Sequence, residues 1–547
     1  MDLIDIHSPA DIKGMSLDEL QQLADKMRAT LLEKLSRNGG HAGPNLGFLE
    51  ATVAMHYVFD SPVDKIVFDV SHQTYAHKML TGRMEAFLDP VKYKSVTGFT
   101  SHKESEHDFF TIGHTSTGVS LAGGLAKARD MMGGKENIIA VIGDGSLSGG
   151  EAFEGLDYGA TLGTNFIVVV NDNDMSIAEN HGGLYDGLRL LRSTDGKAEN
   201  NFFRSLGFDY RYVPYGNDLK SLIDIFKEVK DYPHPIVVHL NTQKGKGYAP
   251  AEAHKEKFHY LLPFDLATGD PLHISESESY DDIFATHMLE RMKKDRRIAV
   301  ITAGTPGVLG FTPDRRREAG SQFIDVGIAE QEAVALASGM AKGGVRPVFG
   351  VVSSFLQRAY DQLSQDVAIN GNPMVLNIFY GSIAGMTDVT HLGWFDIPLV
   401  ANIPGWVYLA PSCKQEYLSM LDWAINQTKY PVAVRVPGTM TCDKELYIAN
   451  YDDLNKNVVL HRGKRVAIFG AGSCLQVARG AAAILKSDGI DATVVNPRFL
   501  SGLDTELLEA LKADHELVVT LEDGALDGGY GEKIARYYGD SGVRVQC

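Results

Sequence analysis

A chain of 547 residues exceeds what one hydrophobic core can organise, so two to four domains are expected. Its hydrophobic share of 44% and charged share of 22% are those of a folded globular protein and argue against long disordered tails. A formal charge of −18 argues against nucleic acid or an anionic membrane surface as the main partner, and no apolar run approaches the roughly 18–20 residues that cross a bilayer.

The first residues, MDLIDIHSPADIKG, carry acids early and lack a basic-then-apolar leader. Cys413, Cys442, Cys474 and Cys547 are far apart without C-x-x-C spacing, which fits thiols in a reducing cytoplasm rather than a disulfide frame or a zinc site. A cytoplasmic protein is therefore expected. In chain order, NIIAVIG, NFIVVVN and PIVVHLN read as buried strands separated by helical patterns such as SLAGGLAKARDMM and LKSLIDIFKEVKD. Periodicity then fades. A second block runs from YDDIFATHMLERMKKDRRIAVITAG through VRPVFGVVSSF, PMVLNIFYG and WVYLAPS to PVAVRVPG, and a third opens at KRVAIFGAGSC. The pattern predicts three consecutive open α/β domains with mainly parallel sheets: residues 1–265, a linker at 266–282, then 283–445 and 446–547. The chain stops at GVRVQC, inside what reads as another strand, so the natural protein is expected to run further.

The chemistry starts at VIGDGSLSGGEAFEG. In open α/β sheets ligands gather beyond the carboxyl ends of strands, and Asp144 stands at such an end between Gly143 and Gly145. The next predicted strand ends at Asn173 in VVVNDNDMSIAEN. A carboxylate, an amide oxygen and a backbone carbonyl, for which Met175 is nominated, are hard ligands that suit Mg²⁺ and a substrate diphosphate. The helix predicted after Gly149-Gly150 would offer free N–H groups to the same diphosphate. Two ordinary turns would explain GDG alone, since Gly and Asp are common there. The matched NDN at this spacing favours the metal, and the pair resembles the signature of thiamine-diphosphate enzymes.

Such an enzyme needs a carboxylate against the aminopyrimidine ring nitrogen, so that the tautomer able to deprotonate the thiazolium carbon is favoured. Glu330, at the strand-to-helix junction in FIDVGIAEQEAV, is the candidate; an exposed first-turn glutamate is the plain alternative. Phe355 in SSFLQRAYDQ would stack on that ring, although a core phenylalanine is the commoner explanation.

Several blocks in order, among them NGGHAGPNLGFLEATVAMHYVF, DVSHQTYAHKMLTGR, GHTSTGVSLAGGLAKARD, GDGSLSGGEAFEG, IAEQEAV and THLGWFD, make the chain similar to the 1-deoxy-D-xylulose-5-phosphate synthase family, in the transketolase-like branch of thiamine-diphosphate enzymes. The resemblance implies a diphosphate-binding, a pyrimidine-binding and a C-terminal domain in a homodimer. It implies that pyruvate is decarboxylated and its two-carbon unit joined to glyceraldehyde 3-phosphate. By motif, His41, His72 and His114 would line the site, and His391 would contact the reacting species. Arg358 and Arg435 would hold anionic groups. His72, Gly113, His114, Gly143, Gly145, Ser146, Asn173 and Lys244 would contact the cofactor beside Glu330 and Phe355. The three histidines lie in Gly- or Ser-marked turns, where imidazole can move protons at neutral pH; a surface-loop histidine is the plain alternative for each.

Departures from the family pattern gather at the acceptor end. Tyr380 stands where the family has an arginine, and phenol is a single neutral partner where guanidinium is a bidentate phosphate clamp. Thr387 replaces an aspartate with Asp388 displaced by one, Val352 replaces a tyrosine, Ser71 a glycine and Glu332 a histidine. The cofactor machinery is thus expected intact and the acceptor end altered. This leaves open ketol transfer between sugars, another aldehyde acceptor, or a catalytically silent regulatory paralogue. A nicotinamide enzyme is set aside: FGAGSCLQVARG is a lone G-x-G, with Leu475 at the third glycine position.

Overall fold

A computed structural model of the chain describes residues 2–273, 277–382, 386, 388–448 and 450–547. It divides into two compact units, residues up to 276 with 327–329, and residues 277–326 with 330–547.

The first unit holds one parallel sheet of β1 (Lys65–Phe68), β2 (Ile138–Gly143), β3 (Phe166–Asp172), β4 (Asp209–Val213) and β5 (Pro235–Asn241), in the order β1-β2-β3-β5-β4. The central strands are continuous apolar runs because helices cover both faces, the usual condition of an all-parallel sheet. Alternate residues divide between two cores. Ile139, Val141, Ile167 and Val169 join one with the helices Leu17–Asn38, Ala42–Val58 and Leu219–Val229. Ile138, Ala140, Ile142, Val168 and Val170 join the other with Gly118–Met132 and Gly150–Ala160. The helix Ala42–Val58 is buried almost all round, so its run of apolar residues carries no amphipathic stripe. Of the segment expected as a linker at 266–282, Pro271 bridges Phe264 of the first core, and a new helix starts at Tyr280.

The second unit holds two sheets. One is parallel throughout, built from β6 (Ile298–Thr302), β7 (Phe323–Asp325), β8 (Arg346–Val352), β9 (Val375–Phe379), β10 (Val407–Leu409) and β11 (Val432–Arg435), in the order β10-β11-β9-β8-β6-β7. The other orders β12 (Val458–His461), β13 (Arg465–Gly470), β14 (Thr493–Asn496), β15 (His515–Leu521) and β16 (Arg544–Gln546) as β12-β14-β13-β15-β16, with only β12 antiparallel to its neighbour. One core joins them, with Phe349 and Leu376 beside Phe469, Val495 and Val518. All four cysteines are free thiols. Among the described residues no helix is long and apolar enough to cross a membrane.

Candidate active site

In the first unit the polar groups gather beyond the carboxyl ends of β2 and β3. Asp144 follows Gly143 directly and is 1% exposed. Its Oδ2 accepts from the Met175 N–H at 3.0 Å and from Asn180 Nδ2 at 2.7 Å. Burial, then the charge of Asp172, raises the carboxyl well above its ordinary range, with Asn180 and Lys244 acting against them. Asp172 is buried too, yet stays below the carboxylate range because His239 and Arg192 hydrogen-bond it. Asn173 Oδ1, Asn180 Oδ1 and Ser176 Oγ are buried without a hydrogen-bond partner. Buried polar atoms are rarely left so, and a carboxylate beside unbonded amide oxygens suits a hard divalent cation. Among the described residues no group of three or more His, Cys, Asp or Glu is placed to hold a metal ion. The turns pack closely: a Cβ on Gly145 would stand 2.9 Å from Ser176 Cα, and the Ser116 hydroxyl donates to Ser146 O at 2.9 Å.

The histidines come next. His41 caps the start of the helix Ala42–Val58, and His72 follows a tight turn after β1. Their rings meet edge to face at 5.1 Å. Asn45, 1% exposed, fixes both loops: its Nδ2 donates to the carbonyls of His41 and His72 at 2.7 Å each, and its Oδ1 accepts from Tyr75 N at 2.8 Å. His114 follows Gly113 on a loop fastened where the Ser116 N–H donates to Asp69 Oδ2 at 2.9 Å.

A further histidine completes the cluster. His259 lies 5.7 Å from His41 and 5.2 Å from His72, ring centre to ring centre. Its Nδ1 is 3.2 Å from Lys244 Nζ, and Lys244 also donates to Ser176 O. Burial, then Lys244, holds His259 well below the ordinary histidine range, and burial pushes Lys244 down to about 8. An ammonium only donates, so Nδ1 of the neutral ring accepts and its proton sits on Nε2. Sequence reasoning missed His259 because it lies in the aperiodic stretch EKFHYLLP; a histidine among aromatics there was the one available sign.

In the second unit, Glu330 is the first residue of the helix Glu330–Lys342, just after β7. It is 3% exposed, its Oε2 makes no hydrogen bond, and Arg358 Nη1 is 3.5 Å away. Burial raises its carboxyl above the usual range, opposed by Arg358. Phe355 is half-buried and meets His391 edge to face at 5.5 Å. The hydroxyls of Ser353 and Ser354, which follow Val352 at the end of β8, are buried without hydrogen bonds. Thr390 Oγ1 donates to Asp388 Oδ1 at 2.6 Å and lies 2.7 Å from His391 Nδ1. The hydroxyl's one proton goes to the carboxylate, so His391 Nδ1 carries the proton in that pair and, in the neutral ring, Nε2 is the unprotonated nitrogen. Burial lowers the His391 pKa below the ordinary histidine value, with Asp388 opposing.

The acceptor-end residues are differently placed. Arg435 ends β11, and its Nε donates to Asp396 Oδ2 at 2.7 Å while Nη2 reaches Asp396 Oδ1 and the Asp523 carbonyl. Tyr408 also hydrogen-bonds Asp396. The guanidinium expected to meet an anionic substrate is thus bound to a buried carboxylate of its own unit. Tyr380 follows β9 at φ 55°, a left-handed conformation for a non-glycine residue, and is 39% exposed. Thr387 lies outside the described residues.

Residues 3–199 match the family model described as 1-deoxy-D-xylulose-5-phosphate synthase, 277–442 the transketolase pyrimidine binding domain, and 455–545 the transketolase C-terminal domain. The chain is 40% identical to the 1-deoxy-D-xylulose-5-phosphate synthase of Symbiobacterium thermophilum, covering 100% of this chain and 89% of that one. It is 38% identical to 1-deoxy-D-xylulose-5-phosphate synthase 1 of Geobacter sulfurreducens, covering 99% and 91%. Among solved structures it is similar to transketolase from Leishmania mexicana, at 15% identity over 97% of this chain and 92% of that one, with a TM-score of 0.41.

Proposed function

The chain belongs to the 1-deoxy-D-xylulose-5-phosphate synthase family, and from that premise we propose that it joins pyruvate to glyceraldehyde 3-phosphate, releasing CO₂ and forming 1-deoxy-D-xylulose 5-phosphate. The bond from the carboxylate to the carbonyl carbon of pyruvate breaks, and a carbon–carbon bond forms to the aldehyde carbon. The aldehyde oxygen ends as a hydroxyl, so one proton is taken up per turnover. Thiamine diphosphate, when bound, supplies the carbon nucleophile and the electron sink for decarboxylation.

The residues divide that work. Asp144, Asn173 and the Met175 carbonyl would hold Mg²⁺, with Gly143, Gly145, Ser146, Gly113 and Lys244 about the diphosphate. Glu330 would hydrogen-bond the pyrimidine nitrogen and Phe355 would stack on the ring. His259, with its proton on Nε2, would be a donor for a developing alkoxide, while His391, whose neutral ring carries its proton on Nδ1, would be a proton acceptor. His41, His72 and His114 would orient the reacting oxygens, and Arg358 would hold Glu330 and an anionic group. The reading also takes in a cytoplasmic homodimer divided at the boundaries 1–265, 283–445 and 446–547. The observation that carries it is the buried Glu330 Oε2, which lacks a hydrogen bond among the described residues.

A second reading, in which another aldehyde or a sugar takes the two-carbon unit, is favoured by the commitment of Arg435 to Asp396 and by Tyr380. One mass-spectrometric assay separates the two. The protein is incubated with thiamine diphosphate, Mg²⁺ and pyruvate, with glyceraldehyde 3-phosphate in one arm and unphosphorylated aldehydes or ketose donors in others. Deoxyxylulose 5-phosphate with matched CO₂ is the expected result. CO₂ or a different ketose without it would transfer the assignment to the second reading, and no turnover in any arm would overturn both.

A further inference from the structure

The turn that presents His72 is built against the preferences of its own residues. Val70 and Ser71 both lie at positive φ, 58° and 66°. This is the left-handed region that L-residues avoid, β-branched ones above all. Two such residues in succession are held from outside the turn. On one flank the Asp69 carboxylate accepts from Ser116 N at 2.9 Å and Gly118 N at 2.8 Å. On the other, Asn45 holds the His72 carbonyl.

Between these flanks lies the Ser71 hydroxyl, with the residue 0% exposed. It accepts from Thr100 N at 2.8 Å and donates to Ile112 O at 2.7 Å. Its one proton is therefore directed and its rotor fixed. Three segments meet at this oxygen. They are the turn leading into His72, the residue after Phe99 (whose ring lies 5.6 Å from that of His41), and Ile112, two residues before His114. A glycine would suit the φ but bring no such bond. A serine tolerates the strain and ties the loops together.

We propose that Ser71 is a positioning residue whose hydroxyl sets the His72 turn against the Phe99 and His114 loops and so fixes the spacing of the active-site histidines. The proposal rests on the role assigned above to those histidines. A misplacement on the ångström scale at a reacting group costs on the order of a hundredfold in rate.

The test uses S71G and S71A. S71G removes the hydroxyl and relieves the strain; S71A removes the hydroxyl and keeps the strain. Thermal unfolding should find S71G close to the parent and S71A less stable. Deoxyxylulose-phosphate assays should find kcat lowered roughly 10–100-fold in S71G, with KM for pyruvate changed far less. A readout independent of turnover is the His72 ring resonance in histidine-labelled protein, assigned with H72N. It should shift in S71G. An S71G protein with parental kcat and an unmoved His72 resonance overturns the proposal. If the parent makes no product while the resonance shifts, positioning stands and the assigned reaction is what fails.

Discussion

Two buried groups, one in each unit, are treated in opposite ways. In the first, Asp144 is pushed toward its neutral form by burial and by Asp172, and amide oxygens around it are left without partners. In the second, Arg435 is met by Asp396, Tyr408 and the Asp523 carbonyl, so its charge is answered within the fold. Both residues stand at the carboxyl ends of parallel strands, where α/β sheets place ligands. The difference is informative: a buried carboxyl that two neutral hydrogen-bond donors leave without a cation is unanswered in charge and suited to a cationic ligand, whereas an ion paired within the fold holds the architecture. By that criterion Asp144 marks the candidate ligand site, and Arg435 is a candidate framework residue.

The largest expected effect breaks this comparison at Asp144. D144N removes a carboxyl whose ionisation is unfavourable without a cation, so the cofactor-free protein should unfold no earlier than the parent. Thiamine diphosphate with Mg²⁺ at a hundredfold excess over Kd should stabilise the parent by about 2.7 kcal/mol and D144N by essentially nothing. Product formation should be lost with it. A D144N protein stabilised like the parent would remove Asp144 from the metal site. Next comes R435M, which leaves Asp396 buried without its cation. Breaking such a pair costs about 3–5 kcal/mol, read as an earlier denaturation midpoint. If R435M instead keeps parental stability and only raises KM for the aldehyde, the guanidinium serves the substrate and the comparison fails.

What the sequence made legible follows the same division. β2, β3 and β5 were readable because a sheet covered on both faces is written as unbroken apolar runs, and their ends fixed Asp144 and Asn173. Glu330 was readable because a strand, a glycine turn and a helix succeed one another locally. Pairings across the chain were not. Asp396 lies 39 residues before the arginine it neutralises, and neither residue's motif names the other. His259 sits where periodicity had ended, so no element placed it. The φ of Ser71 is a property of the turn's surroundings, and the letter alone shows only that a glycine was replaced.

The smallest expected effect sharpens the comparison at Glu330, a second unanswered carboxyl, but one with Arg358 at 3.5 Å. Its folded pKa lies above the ordinary 4.5, chiefly through burial. The native state therefore keeps a proton that the unfolded chain releases above pH 4.5. The stability this contributes is fully present below that pH and is lost as pH rises through the folded pKa. E330Q cannot titrate there and loses nothing over the same range. Thermal unfolding of cofactor-free parent and E330Q from pH 4.5 upward should therefore diverge, with the variant gaining on the parent as pH rises. Arg358 limits the size of that divergence, since it partly stabilises the ionised form. A constant gap at every pH would mean that Arg358 answers Glu330 as completely as Asp396 answers Arg435. Glu330 would then belong to the frame and not to the cofactor.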